Sequence, residues 1–436
     1  MQRLSAADAA ARLQPWDSLG IPLGPGQPPA FLKALGERDD WEELRIGGAL
    51  LTVLSDVFAH ENVHYLSGFF GPLERALRDS GANQSFAPAD FRRFEPILEE
   101  TKPRVMCTVA APPDEEGWCS LSLHAGATVN ELHRAGADPN RLLVVEVSPR
   151  FPHTLGLGVH QHALHLDEID VLVESDEEPF ALEDAPPTEA DRAIAEYVSR
   201  FVMDGATLQT GIGAVPSMVA TLLAEGPRGG FGVHSEMFTT GLMRLHEAGK
   251  VTNEKGIYDG VSVATFAAGT RRLYDWLDGN QDVAFLPVDL VNSPEAIAAN
   301  RQMVTINAVI AVDIHGQVVA DTIDGVQYSG IGGHEDFVSG PALSLEDRSL
   351  LCLPSTVTID GELRSRIVPW FPRGTVITTP RHQVDVIVTE YGAAELQGRT
   401  VHQRGDALAA IAHPSFRDEL RAAAERASGG WSPVLE

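Results

Sequence analysis

The chain has few cysteines, and they do not pair up along the sequence. Only Cys107, Cys119 and Cys352 occur in 436 residues. An odd, scattered set without a C-x-x-C motif excludes a disulfide framework and a cysteine zinc site. The segment after Met1 has no apolar core of the kind that a secretory signal needs. We therefore expect a reduced, cytoplasmic protein.

Positive charge is also scarce, and long apolar runs are missing. The chain has 33 Lys and Arg against 61 Asp and Glu, a formal net charge of -28. Such a balance argues against nucleic acid or an anionic membrane surface as the main partner. An anionic ligand would have to be held by backbone N–H groups, a helix N-terminus or a few local arginines. No apolar run approaches the roughly 18 residues of a membrane span, so we expect a soluble protein.

Short apolar runs rich in β-branched residues alternate with helical segments in the first half. The runs cover residues 44–53, 104–110 and 141–147, and helical patterns lie at 71–80 and 127–135. This alternation predicts a parallel sheet with helices on its faces. The proline-rich segment 21–29 should be a rigid turn that is neither helix nor central strand.

An acidic, proline-bearing stretch at 174–187 is the best candidate for a domain boundary. Thr188 then caps a new helix, and the α/β pattern resumes. Strands are predicted in the second half at 206–209, 283–287, 304–312, 350–353, 374–378 and 384–389. The fold class is α/β, with domains 1–185 and 186–436.

Three histidine motifs raise the question of a metal site. His60-Glu61-Asn62-Val63-His64 matches the H-E-x-x-H string of zinc proteases, but it follows the strand-like stretch 51–57 and lacks a third ligand. His234-Ser235-Glu236 resembles the H-x-E of zinc deaminases without their P-C-x-x-C. A further cluster without a supporting motif consists of His160, His162 and His165. We expect no metal.

Two glycine-rich loops flank one carboxylate in the second half. Gly211 to Pro216 follows a strand and opens a helix, so its N–H groups can face an anion, although a plain tight turn fits equally. Tyr328 to Phe337 carries three glycines in four positions, which suits close approach to a substrate. Glu236 lies between the loops at a chain bend. It is either a chemically reactive carboxylate or an ordinary residue of a surface turn. Three arginines could solvate the surface or anchor a diphosphate: Arg348, Arg364 and Arg366.

Taken in order, these strings resemble one family. They are Gly211 to Pro216, His234 to Phe238, Thr305 to Ala308, Gly316 to Val318, Tyr328 to Phe337, Ser365 to Pro369, Val388 to Gly392 and Ile411 to Arg417. Their order and spacing closely resemble the acetyl-CoA hydrolase/transferase family, class I CoA-transferases that include 4-hydroxybutyrate CoA-transferase. The resemblance covers nearly the whole chain.

The resemblance implies two open, mostly parallel-sheet α/β domains with the active site between them. Glu236 falls on the family's catalytic glutamate, which carries CoA as a glutamyl thioester in a ping-pong reaction between an acyl-CoA and a short-chain carboxylate. Asn307, Gly332 and Gly333 would stabilise oxyanions. CoA would lie along Gly211, Ile212, Gly213, Ala214 and Val215, with Arg348 near its phosphates. A homodimer is expected.

The chain departs from the family pattern at several positions. His334 stands where the family has a glutamine, Glu335 stands where it has an apolar residue, and Ser148 stands where it has an asparagine. Segment 346–349 differs from the family's Gly-Gly-Lys-Ser. These changes leave the catalytic carboxylate in place but leave the acyl and acceptor specificity open. Three alternatives to the transferase remain, the last of them suggested by His334 and Glu335. The first is an acyl-CoA hydrolase that uses the same carboxylate. The second is a metal-dependent hydrolase built on His60 and His64, and the third is a catalytically silent CoA-binding protein.

Overall fold

The structure is a computed structural model that describes residues 1–124, 126–183 and 186–428. In chain order its strands are β1 Gln2–Leu4, β2 Trp16–Leu23, β3 Glu43–Ala49, β4 Val63–Ser67, β5 Gln84–Phe86, β6 Val105–Ala110, β7 Trp118–Ser120, β8 Leu142–Val147, β9 Ala163–His165, β10 Val171–Glu174, β11 Thr207–Thr210, β12 Gly232–Val233, β13 Met237–Phe238, β14 Ser262–Ala264, β15 Phe266–Ala267, β16 Val283–Phe285, β17 Met303–Ala308, β18 Ala311–Asp313, β19 Val318–Val319, β20 Thr322–Ile323, β21 Val326–Gln327, β22 Arg348–Cys352, β23 Thr356–Ile359, β24 Glu362–Ser365, β25 Ile367–Val368, β26 Val386–Thr389 and β27 Gly392–Glu395.

The helices lie between these strands, mostly on the faces of two large sheets. They are α1 Ala6–Ala10, α2 Pro29–Gly36, α3 Pro72–Asp79, α4 Phe94–Thr101, α5 Val129–Ala137, α6 Glu189–Ser199, α7 Ala214–Glu225, α8 Thr240–Glu247, α9 Arg271–Leu277, α10 Val288–Val291, α11 Pro294–Ala298, α12 His334–Ser339, α13 Val401–Ile411 and α14 Arg417–Ser428. Within the described ranges, no helix is long and apolar enough to cross a membrane.

Two open sheets organise the chain. The first has eight strands in the order β1-β10-β8-β6-β2-β3-β4-β5, all of them parallel. The second has six strands in the order β12-β11-β17-β22-β26-β27, parallel except for β26 against β27. Strands β6 and β8 are buried on both faces, which explains their continuous apolar runs. The predicted α/β class is confirmed.

The strands of the two sheets come from separate parts of the chain. Those of the first sheet end at Glu174, and those of the second begin at Thr207. The division into 1–185 and 186–436 stays a prediction, because Asp184 and Ala185 lie outside the described residues. The largest apolar cluster contains Leu143 from the first sheet and Leu350 from the second. The two halves therefore share a core.

The prediction of a turn at 21–29 was wrong in its first part. Strand β2 continues through Pro22 to Leu23 in the middle of the first sheet. The register between β2 and β3 shifts between Gly20 and Leu23, and the pairing of β2 with β6 ends at Gly20. Pro22 thus lies where the ladder is interrupted, so its missing N–H costs no sheet hydrogen bond.

Two other predicted strands are not formed. Residues 374–378 contain turn and irregular backbone, and 51–57 leads into a short 3₁₀ helix at Asp56–Ala59. The predicted helix cap is present, since Thr188 accepts the Asp191 N–H; at the start of α1, Ser5 accepts the Asp8 N–H in the same way.

Candidate active site

Glu236 occupies the bend between β12 and β13. The backbone of this bend is held on both sides of the residue: the Ser235 N–H donates to the Val263 carbonyl over 3.1 Å, and the Glu236 carbonyl accepts the N–H groups of Thr265 and Phe266 at 2.9 and 3.2 Å. His234 donates its own N–H to the Leu208 carbonyl. The backbone at Glu236 is therefore fixed by hydrogen bonds to neighbouring segments on both sides of the residue.

The carboxylate of Glu236 is enclosed by an asparagine and a glycine. Asn292 donates its side-chain N–H to Glu236 Oε2 over 2.7 Å. A Cβ placed on Gly333 would lie 1.9 Å from the same oxygen and 2.7 Å from Asn292 Nδ2. Only a glycine fits at position 333, because any side chain would displace the carboxylate.

A buried acid extends this network into the other half of the chain. The same Asn292 nitrogen donates to Asp336 Oδ2 over 2.9 Å, and Asp336 forms an ion pair with Arg92. The Phe91 N–H donates to the Gly332 carbonyl over 3.0 Å. Residues 91 and 92 of the first half thus bind the glycine loop of the second half and the acid beside it.

Burial dominates the electrostatics of the two acids. Loss of solvent around the carboxyl raises the pKa of Glu236 from 4.5 to about 8; the hydrogen bond from Asn292 opposes this shift, and the charge of Asp336 adds to it. Burial also raises the pKa of Asp336 to about 6 against the opposing effects of Asn292 and Arg92. Glu236 keeps partial exposure, toward a small cavity.

That cavity measures about 140 Å³ and combines residues from distant segments. It is lined by Phe69, Gln209, Thr210, Gly211, Glu236, Met237, Asn307, Ala308, Ile331, Gly332, Gly333, His334 and Phe337. Five predicted site residues lie on it: Glu236, Asn307, Gly332, Gly333 and Gly211. The two glycine loops and the carboxylate therefore meet in one place, at the carboxyl ends of strands β11 and β17, where open α/β sheets bind ligands.

Asn307 is oriented by a second amide. Gln209 donates from Nε2 to Asn307 Oδ1 over 3.2 Å, and its Oε1 accepts the Ile306 N–H at 3.1 Å. Asn307 stands at the end of β17 and is only partly buried. Its amide group is held in place beside the cavity.

The other predicted CoA contacts lie outside the cavity lining. Gly213 precedes α7, and Ala214 and Val215 form its first turn, while Ile212 is 49% exposed. Arg348 begins β22 opposite Val304, whereas Asn307 pairs with Leu351 three residues further on. Arg348 is therefore roughly 10 Å from the cavity end of the sheet. It donates to the Leu345 and Asp347 carbonyls.

His334 and Glu335, the departures from the family loop, form a compact polar group with Thr379. His334 Nε2 lies 2.8 Å from Thr379 Oγ1, and Thr379 donates to Glu335. Burial lowers the pKa of His334 to about 4 and raises that of Glu335 to about 7. His334 also belongs to the lining of the cavity that contains Glu236.

The histidine motifs serve structural contacts. His60 ends a 3₁₀ helix and His64 lies in strand β4, so the H-E-x-x-H string is not on a helix. His162 stacks on Phe285, and His234 Nε2 lies 2.7 Å from the Val291 carbonyl. Among residues 1–124, 126–183 and 186–428, no group of three or more His, Cys, Asp or Glu side chains could hold a metal ion. All three cysteines are free and buried.

Comparison with known proteins agrees with this geometry. Residues 269–424 match the family model of the acetyl-CoA hydrolase/transferase C-terminal domain. The chain is 35% identical over 427 residues to the succinyl-CoA:cyclohexane-1-carboxylate CoA transferase of Geobacter metallireducens, covering 97% of this chain and 94% of that protein. The chain belongs to the acetyl-CoA hydrolase/transferase family.

Other members of this family are similarly close. The 4-hydroxybutyrate coenzyme A transferase of Clostridium kluyveri is 36% identical over 355 residues, which cover 81% of this chain and 80% of that protein. The crystal structure of RipA from Yersinia pestis has a TM-score of 0.89 at 31% identity, covering 98% of this chain and 97% of that one. The family and the fold predicted from the ordered motifs are confirmed, as is the expectation of a CoA-transferase enzyme.

Sequence reasoning missed three residues of the site. Asn292, Asp336 and Arg92 form the hydrogen-bonded chain behind the carboxylate. Asp336 belongs to the second glycine-rich segment but was not singled out there. The only local signal at Asn292 is its place before the helix cap Ser293, which by itself indicates a turn.

Proposed function

We propose that the protein is an acyl-CoA:carboxylate CoA-transferase in which Glu236 carries CoA between two short-chain acyl groups. One observation carries the proposal: the Glu236 carboxylate is enclosed by Asn292 and Gly333 in a cavity that both glycine loops line. A carboxylate held in such a site can act as a covalent nucleophile.

The first half of the reaction loads the enzyme. A Glu236 oxygen attacks the thioester carbon of the acyl-CoA; a C–O bond forms, the C–S bond breaks, and CoA leaves as the thiolate. The thiolate then attacks the Glu236 carboxyl carbon of the mixed anhydride, which forms the glutamyl-CoA thioester and releases the acyl group as a carboxylate. A second carboxylate reverses both steps, leaves as the new acyl-CoA and restores Glu236.

The charge of each tetrahedral intermediate needs hydrogen-bond donors. The Asn307 amide, oriented by Gln209, and the backbone N–H groups of Gly332 and Gly333 stand on the same cavity as the carboxylate. Donors fixed in advance stabilise an oxyanion more than mobile water does. We assign oxyanion stabilisation to these three residues.

CoA would enter along the first glycine loop. Among the residues that the structure describes, a Cβ placed on Gly211 would meet no atom within 4 Å, and no side chain caps the start of α7 at Gly213. The N–H groups of Ala214 and Val215 therefore offer donors and a helix dipole to an anionic part of CoA. A role for Arg348 would concern a more distant part of CoA and stays a prediction, as do the homodimer and the cytoplasmic location.

The raised pKa of Glu236 fits a group that must be shielded from water. A carboxyl with a pKa of about 8 is largely protonated at neutral pH, and the ionised fraction is the nucleophile. The alternative is an acyl-CoA hydrolase, in which water attacks the glutamyl thioester; a relative from Yarrowia lipolytica, 26% identical over 283 residues, is named acetyl-CoA hydrolase. Comparing CoA release with and without added acetate separates the two reactions, since a transferase needs the acceptor.

The deciding experiment traps the intermediate. Incubation with acetyl-CoA, digestion and mass spectrometry should reveal a CoA adduct on the peptide that contains Glu236. Glu236→Gln keeps the shape and removes the nucleophile, so we expect transfer to fall roughly 10⁴-fold or more. Glu247→Gln, at an exposed glutamate of α8, is the matched control and should keep full activity. An unmodified peptide together with an active Glu236→Gln enzyme would refute the proposal.

A further inference from the structure

A second, larger cavity lies in the first half of the chain and has no part in the mechanism above. It measures about 620 Å³ and lies between helix α4 and the face of the first sheet formed by β2 to β5. Phe94, Ile97 and Leu98 of the helix form its roof. Its volume falls in the range of about 300–1,000 Å³ that is typical of small-molecule sites.

The cavity exists because the sheet residues beneath α4 are small. Gly47 of β3 and Ser85 and Ala87 at β5 line it, whereas the space over Gly68 is filled by the Phe94 ring of α4, which would lie 1.9 Å from a Cβ on that glycine. A Cβ placed on Gly47 would meet only Leu98 Cδ2, at 3.9 Å, and Gly47 lies outside the left-handed backbone region. A larger apolar residue would fit here and would fill the space. Glycine inside a strand weakens it and often marks the close approach of a ligand.

The inner end of this cavity adjoins the catalytic one. Gly68 lines the large cavity, and the next residue, Phe69, lines the small one. The Phe69 ring lies 3.2 Å from the position of a Cβ on Gly332, and that position is 4.0 Å from Glu236 Oε1. Leu23 and Ala49 of the large cavity belong to the same apolar cluster as Phe69. This cluster thus contributes lining residues to both cavities.

The large cavity is long, and the charged residues of its lining lie toward its far end: Asp17, Glu43, Arg45 and Arg104. From Gly68 it follows β4 back to His64, four residues or roughly 13 Å. Arg45 and Glu43 lie beside His64 at that end and form an exposed ion pair. Apolar walls of this length suit a hydrocarbon chain that starts near Glu236, with the polar end open to water.

We propose that this cavity binds the hydrocarbon part of a medium-length aliphatic acyl group whose carboxyl or thioester carbon lies at Glu236. The inference rests on the proposed function and extends its substrate class beyond short acids. The 140 Å³ catalytic cavity suits a short acyl group, whereas a longer chain would pass Phe69, displace the Phe94 ring that covers Gly68, and continue under α4.

The test uses Gly47→Val on the full-length protein, with Gly229→Val as the matched control. Gly229 also has ordinary backbone geometry and only van der Waals neighbours at 3.6 and 3.9 Å, both from Lys250. Two quantities are measured: kcat/KM for acetyl-CoA and octanoyl-CoA with acetate as acceptor, and octanoate binding by calorimetry. Thermal unfolding of each variant confirms that it is folded.

We expect Gly47→Val to lower kcat/KM for octanoyl-CoA at least tenfold and to weaken octanoate binding, since each excluded methylene is worth about fourfold. Acetyl-CoA should be affected less than twofold, and Gly229→Val should change neither substrate. Equal loss with both substrates in Gly47→Val, or a wild-type protein that does not bind octanoate, would overturn the inference. Octanoate binding that Gly47→Val abolishes, without transfer from any acyl-CoA, would support the cavity as an alkyl site and refute the proposed function instead.

Discussion

The two glycine loops of the site are alike in sequence and opposite in surroundings. In the second loop, a Cβ on Gly330 would lie 2.6 Å from Phe69 Cδ2, and one on Gly333 would lie 1.9 Å from Glu236. In the first loop, a Cβ on Gly211 would meet none of the described atoms within 4 Å. Missing side chains thus let the protein close around its carboxylate in one loop and leave room for a ligand in the other.

The largest expected effect comes from filling the closed loop. Gly333→Ala should lower kcat roughly 100-fold or more, because the new methyl group displaces the Glu236 carboxylate and its Asn292 partner. Transfer kinetics at saturating acyl-CoA measure this effect.

Gly211→Ala is the matched change in the open loop, where we expect KM for the acyl-CoA to rise more than kcat falls, because the methyl group enters the space left for the ligand and meets none of the described protein atoms within 4 Å. Similar losses in both variants would mean that the two loops do not differ as described.

A smaller effect is expected from the one strained glycine of the open loop. Gly213 has φ +123° and ψ 174°, a conformation that only glycine adopts readily. Gly213→Ala should lower the free energy of unfolding by about 1–3 kcal/mol. Urea unfolding measures the change, and Gly211→Ala, which has ordinary backbone geometry, serves as the unstrained reference. Equal stability of the two alanine variants would contradict the assigned strain.

The smallest expected effects are pH shifts that depend on the closed loop. Burial puts the pKa of Glu236 at about 8, so kcat/KM for the acyl-CoA should rise with pH up to that value. Asn292→Ala removes a hydrogen bond that lowers this pKa, so the rising limb should move to higher pH. Asp336→Asn removes a charge that raises it, so the limb should move to lower pH. If the rising limb moved in the same direction in both variants, the assignment would be refuted.

The raised pKa of Glu236 also makes the stability of the folded protein depend on pH. Because the folded pKa of Glu236 lies above 4.5, the protonated form stabilises the folded protein fully below pH 4.5, and this contribution is lost as pH rises through about 8. In Glu236→Gln the side chain is neutral at every pH. The difference in Tm between wild type and this variant should therefore change across that pH window.

The sequence predicted those parts of the site that carry local signals. Glycine clusters and the bend at Glu236 stand out in the chain, and the structure brings them together on one cavity. Asn292 and Arg92 have no such signal, because their role depends on which segments pack together. Buried strands such as β6 were evident from their apolar runs. Strand β2 through Pro22 was not, because the irregularity that accommodates proline is set by the pairing with β3 and β6.

The surroundings of Glu236 depend on both halves of the chain, because Phe91 and Arg92 of the first half contact residues beside it. Arg92 neutralises Asp336, and Asp336 in turn biases the proton on Glu236. A fragment that starts at residue 186 would contain the nucleophile and both glycine loops, yet it would lack the cation that balances the neighbouring acid. Reassembling two separately produced pieces would restore that balance only if the contact between Phe91 and Gly332 re-formed.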